Sequence, residues 1–245
     1  MSSATRRQFL RSATALALTG SIATTAAAQG DPIAEATPEH VTHEFDVETL
    51  KRYRPQLVVR EIDRAKLRSL FGFVARSPEY DTDVGVYWME YSHQEGVSPL
   101  APPLNDSHYG DHEPFYVFFD SETGDVVEVV YSAYHWIAGK SPAASTPMDE
   151  THPKAHIVRP WHHYYLTEET GVYVDLADLT QALGDWWANG MDESLYLEGV
   201  TVPWRMRTRA HWWQDTAAGF SIDAWYAKQL YRLGWVGADN PEVEI

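Results

Sequence analysis

The chain has 245 residues, no cysteine, and 19 Lys and Arg against 35 Asp and Glu, a net charge of −16. That composition excludes disulfides, thiolate metal sites and cysteine nucleophiles. The acidic balance argues against nucleic acid or anionic lipid as a partner. Only five of the cations are Lys, and a lysine-poor acidic surface predicts a protein that stays soluble in concentrated salt.

The N-terminus predicts an export signal. Arg6-Arg7 precede Phe9-Leu10, an uncharged Ala- and Thr-rich run spans Ala13 to Ala28, and Ala26-Ala27-Ala28 offers a cleavage site. This is the pattern of a twin-arginine leader over residues 1–28, and it places the protein outside the cytoplasmic membrane, extracellular or in the cell envelope. The run is too short and too diluted by Ser, Thr and Gly for a membrane anchor, and no later segment predicts an integral span. Without Arg6, Arg7 and Arg11 the net charge moves from −16 to −19.

Residues 29–47 are acidic and polar and predict a mobile mature N-terminus. A single domain is expected over 48–245. Arg54–Arg60 and Val84–Tyr91 read as strands. Phe115–Phe119 and Val126–Tyr131, joined by Asp120-Ser121-Glu122-Thr123-Gly124-Asp125, read as a hairpin. Residues 92–106 and 141–153 read as Pro-bearing loops. Ala155–Val158 and Tyr164–Leu166 follow as short strands. Helical spacing then appears in Leu176–Ala188 and Ser221–Leu233, so the helical part is expected over about 175–235. Seven of the ten Trp lie from Trp186 onward, a pattern of packed indoles more than of sugar platforms. Arg205, Arg207 and Arg209 alternate; on a strand they would share a basic face, and solvated ion pairing is the plainer expectation. The fold class expected is all-β or β-dominated, a β-sandwich with C-terminal helices packed on it.

Eight of the eleven His lie between His93 and His163, and that stretch holds His108-Tyr109-Gly110-Asp111-His112-Glu113. Leading into a strand, Asp111 and Glu113 point to one face. A turn at Gly110 would fold His108 back over them. Two carboxylates and an imidazole at one strand mouth suit a divalent cation or paired acid–base chemistry. No P-loop, dinucleotide fingerprint or nucleophile elbow is present.

Val86–Tyr91, a polar loop and the His108–Glu113 segment together resemble two families. One is the Vps62-like proteins, with His-x-Gly-Asp-Trp-Glu. The other, more distant, is the necrosis-inducing secreted proteins, with Gly-His-Arg-His-Asp-Trp-Glu. His112 stands where both carry Trp. Tyr131–Trp136 and His152–Tyr165 resemble later pieces of the first family, so the likeness covers about residues 84–166. It implies a β-sandwich with a divalent cation, Ca²⁺ or Mg²⁺, at one end, held by His108, Asp111 and Glu113. Glu95 and His93 are further candidates from the preceding strand end, and His135 and His163 could reach the same mouth. With several imidazoles, Zn²⁺, Mn²⁺ or Fe²⁺ would suit better. Three functions follow as expectations: a cation-dependent recognition module for a glycan, other small molecule or envelope component; a metal-dependent hydrolase with His112 or His163 as general base; or a structural envelope protein with no site. Sequence alone leaves the oligomeric state open.

Overall fold

The computed structural model describes residues 32–94, 108–134, 137–159, 161–188, 195–210 and 212. In chain order the elements are α1 (Pro32–Ala36), β1 (Thr42–Glu44), α2 (Val47–Tyr53), β2 (Gln56–Val58), α3 (Glu61–Arg64), β3 (Leu67–Arg76), β4 (Thr82–Gln94), β5 (His108–Asp120) and β6 (Val126–Tyr134). Then follow β7 (Ile137–Pro142), β8 (Met148–Asp149), β9 (His152–Ile157), β10 (Tyr164–Leu166), β11 (Leu176–Asp178), α4 (Leu179–Ala188) and α5 (Leu197–Thr201).

Two sheets form a β-sandwich. The larger runs β1-β3-β4-β5-β6-β7, each pair antiparallel. Its β3 edge is shared end to end: β1 pairs with Val74–Arg76, while β11 adds in parallel along Leu70–Gly72. The smaller sheet runs β10-β9-β2, with β2 parallel to β9 and β8 paired to β9.

Strand periodicity divides the core. Tyr87, Met89, Tyr91, Phe115 and Val117 face Leu57, Ala155, Ile157 and Tyr164 of the smaller sheet. The alternate residues Val84, Val86, Trp88, Tyr116 and Phe118 are buried on the opposite side with Leu179, Leu183, Val200 and Trp204. The large sheet is thus a middle layer, apolar on both faces. That is why 84–91 and 115–119 read as nearly unbroken apolar runs instead of alternating ones. The β5–β6 turn has Gly124 at φ 75, where a side chain would be strained. Asp120 Oδ1 accepts from the amides of Glu122 and Thr123 at 2.9 and 2.7 Å, which fixes the loop.

Two local expectations need correction, and one strand was not anticipated. Residues 32–44, expected to be mobile, carry α1 and β1; Ile33 and Val41 are buried, supplying apolar anchors that a reading of the surrounding acids overlooked. The loop expected over 141–153 holds the end of β7, β8 and the start of β9. Strand β3 was not anticipated, because Arg68, Ser69 and Gly72 break its alternation. Arg205 and Arg207 lie in a 3₁₀ turn and are ion-paired, the plainer of the two expectations: Arg205 pairs with Glu198, Arg207 with Glu128, and Arg209 stacks on Tyr196. Trp186 packs on Phe71 and Trp88, and Trp212 on Tyr116, so these indoles are packing groups. The helix expected over 221–233 lies outside the described residues, as does the leader. No helix among the described residues is long and apolar enough to cross a membrane.

Candidate functional site

Strand β5 sets the geometry. In its ladder with β4, Asp111 pairs with Tyr91 and Glu113 with Met89, and both carboxylates turn toward the core between the sheets. They are 4% and 2% exposed. Burial first, and the Asp111 charge second, push the Glu113 carboxyl well above the usual range; the Ser132 hydroxyl opposes the shift. Glu113 Oε2 has no hydrogen-bond partner among the described residues. Tyr164 Oη donates to the Glu113 carbonyl at 3.2 Å. The Tyr91 and Tyr164 phenols beside this pair are pushed well above their ordinary value, chiefly by burial.

The imidazole that reaches the pair belongs to His162. Its Nδ1 lies 2.7 Å from Asp111 Oδ2, and its Nε2 is 4.0 Å from Asp63 Oδ1. The ring is fully enclosed and stacks on Tyr91 with centroids 4.0 Å apart and planes 11° apart. With Asp111 ionised, Nδ1 carries the hydrogen and donates it. The placement depends on a tight reversal between β9 and β10. His162 N donates to Val158 O at 2.7 Å, Val158 N donates to His163 O at 2.9 Å, and His162 adopts φ 57. A left-handed, non-glycine residue sealed in a core is costly and needs its surroundings to hold it.

Asp63 of α3 anchors the far side. It is 1% exposed, and its Oδ1 lies 3.1 Å from Lys66 Nζ and 3.2 Å from Arg159 Nε. A buried chain of charge therefore runs from α3 through His162 to β5. The aromatic stack keeps the ring in plane and the two cations balance Asp63.

The expected residues are distributed as follows. Asp111 and Glu113 share one face, as the period-2 argument requires. His93 lies on the same side of β4 two positions beyond Tyr91, half-buried, with Nδ1 2.9 Å from Ser92 Oγ. The turn expected at Gly110 is absent: residues 108–110 continue β5, with His108 opposite Gln94, so the chain does not fold back there. His112 is a correction. It sits between Asp111 and Glu113 in sequence and so points to the other face, where its ring packs 4.1 Å from Trp186. It cannot act as a base on anything held by the carboxylates. His163 is buried beside Trp161, with ring centroids 6.2 Å apart. Glu95 and His135 lie outside the described residues. Among the described residues, no three His, Asp or Glu side chains are already arranged to hold a metal ion.

Sequence reasoning missed His162 and Asp63. His162 is adjacent to the candidate His163, and only the φ of the reversal decides between them. Asp63 left one signal, an acid three residues before Lys66.

No model of a known protein family matches the chain, and no curated protein matches it. Several solved structures are similar. Necrosis and ethylene inducing protein 2, from the causal agent of cocoa's witches' broom disease, aligns over 54% of this chain and 73% of its own at 17% identity, TM-score 0.41. NLPPya in complex with mannosamine aligns over 59% and 77% at 18% identity, TM-score 0.42. A structure described as a toxin fold for microbial attack and plant defense aligns over 59% and 78% at 16% identity, TM-score 0.43.

Proposed function

We propose that the protein is an exported recognition module whose ligand-binding end is organised by a divalent cation at Asp111 and Glu113. The observation that carries this reading is the Asp111–Glu113 pair itself. Two carboxylates on one strand face, both nearly sealed from water, raise each other's cost of ionisation, and one oxygen of Glu113 has no hydrogen-bond partner among the described residues. A divalent cation answers that arrangement by neutralising both carboxylates and taking the spare oxygen. Asp111 Oδ2 is engaged by His162, which orients the carboxylate. His93 is a further candidate donor on that side of β4; Glu95, His135 and His163 complete the candidate set. Carboxylate donors favour Ca²⁺ or Mg²⁺, and an added imidazole shifts the preference toward Zn²⁺, Mn²⁺ or Fe²⁺. The ligand class is a glycan or other envelope component met outside the cytoplasmic membrane, after export through the twin-arginine leader.

The test is direct. The purified protein is assayed for bound metal by mass spectrometry and titrated calorimetrically with each ion, beside an Asp111→Asn/Glu113→Gln double variant. Stoichiometric binding lost in the variant supports the reading. A wild-type protein that holds no metal and melts unchanged with every ion overturns it. Glucosamine and mannosamine, with and without the ion, are the first sugars to try.

A metal-dependent hydrolase is the second reading, favoured by the Asp111–His162 hydrogen bond, an orienting pair of the kind a general base uses. It predicts turnover that His162→Gln abolishes while metal stays bound.

A further inference from the structure

The outer face of the smaller sheet differs from the rest of this acidic molecule. Gln56 and Lys154 are register partners, as are Val58 and His156, and all turn away from the core that Leu57, Ala155 and Ile157 enter. Over the Gln56 end lies Tyr173, which with Val172 makes up the exposed large hydrophobic side chains among the described residues, at 42% exposure. Its ring is held from three directions. Arg54 stacks over it at 4.4 Å, Gln56 Nε2 donates to its hydroxyl at 3.0 Å, and the His152 ring meets it edge-on at 4.9 Å. An exposed aromatic fixed in this way has already lost the rotamer freedom that binding would otherwise cost. At the other end, the His156 and Tyr165 rings stack at 4.8 Å. Four residues along β9 separate His152 from His156, so the two aromatic stations stand roughly 13 Å apart, and Lys154 stands between them.

Charge names the ligand. Several cations are spent on carboxylates: Arg76 on Glu44, Asp46 and Asp83, Lys51 on Glu48, Arg205 on Glu198. Arg54 and Lys154 have no carboxylate within ion-pair distance among the described residues. Arg54 donates only to the Val174 carbonyl, at 3.3 Å. Arg54 on the Tyr173 ring and Lys154 between the two stations offer two cations to an incoming acid, beside Asp149, whose carboxylate accepts from Gln56 Nε2 at 3.1 Å.

We propose that this face is a second, cation-independent subsite that binds an acidic oligosaccharide, with sugar rings on Tyr173 and on the His156–Tyr165 pair and a uronate carboxylate on Arg54 and Lys154. It stands apart from the Asp111–Glu113 mouth, and its fate does not depend on that reading.

The experiment titrates the purified protein with tetragalacturonate and with the neutral tetragalactose by calorimetry, each with and without EDTA. The acidic sugar is expected to bind at least tenfold more tightly than the neutral one, with affinity unchanged by EDTA. Tyr173→Ala and Lys154→Glu each weaken it tenfold or more. Tyr173→Phe, which keeps the ring and loses only the Gln56 hydrogen bond, binds within about threefold of wild type. Thermal melts confirm that the variants are folded, as substitutions at an exposed and a half-exposed position should leave them. Equal binding of the neutral sugar, absence of binding, loss of binding in EDTA, or indifference to both Tyr173→Ala and Lys154→Glu overturns the proposal. Failure of the mouth to bind metal, with this binding intact, overturns only the cation reading.

Discussion

His162 and Asp111, 51 residues apart in sequence, meet through Nδ1 and Oδ2 at 2.7 Å in a space closed to water. Removing the imidazole leaves a buried carboxylate without that donor. His162→Ala should destabilise the fold by about 3–5 kcal/mol, read from urea unfolding. His162→Asn should cost less, because Asn tolerates the left-handed φ and retains a donor. Equal losses in the two variants would mean that the hydrogen bond contributes little.

Asp63 serves Lys66, Arg159 and His162 together. Asp63→Ala should cost about 3–5 kcal/mol by taking the carboxylate away from a nearly buried ammonium. Replacing Asp63 and Lys66 together by Leu and Met should recover part of that loss. A double variant as unstable as the single one would show that Arg159 and His162, not Lys66, are what Asp63 holds.

His43 gives a pH signature away from the mouth. Burial lowers its pKa from 6.5 to about 4, opposed by a hydrogen bond with the Thr201 backbone. The unfolded chain takes up the proton first as pH falls. Stability from this group is therefore complete above 6.5 and is lost between 6.5 and about 4. The loss is roughly 3 kcal/mol from linkage. His43→Phe should flatten that part of the stability–pH curve, as measured by chemical denaturation at stepped pH.

His112 packs on Trp186 behind the sheet, so His112→Phe should leave metal affinity within about threefold and change stability by less than about 1.5 kcal/mol. Loss of metal in this variant would contradict the facing of β5.

Gly171 lies against the backbone of Leu57. A Cβ there would sit 2.5 Å from the Leu57 carbonyl carbon, next to the Leu57–Val172 bridge. Gly171→Ala should cost about 2–4 kcal/mol by forcing that bridge apart. Hydrogen exchange at Leu57 and Val172, whose amides close the bridge, would report it first.

The strands that could be read from sequence were those with a concentrated β-branched and aromatic signal, and β4, β5, β6, β9 and β10 all carry one. Strand β3 hides behind Arg68 and Gly72, and β7, Ile-Ala-Gly-Lys-Ser-Pro, has almost no signal because pairing with β6 and burial decide its conformation. The facing of Asp111 and Glu113 followed from period 2 alone. The place of His108 did not, since a Gly read as a turn here continues a strand. The partners of Asp111 were out of reach for a different reason. His162 arrives through one left-handed residue, and Asp63 from a four-residue helix on the other side of the main sheet's sequence. Local pattern carries no information about either approach.

The β3 edge is completed from both directions along the chain, by residues 42–44 over one half and by 176–178 over the other. The open amides and carbonyls of Leu70–Gly72 therefore stay available to any passing strand until more than a hundred further residues have been synthesised. A ribosome-bound or truncated chain ending before Leu176 carries a sticky sheet edge that the finished protein does not have. The sheet is in effect self-capping along this edge. Any machinery that moves this chain as a folded body must receive it after that cap has closed.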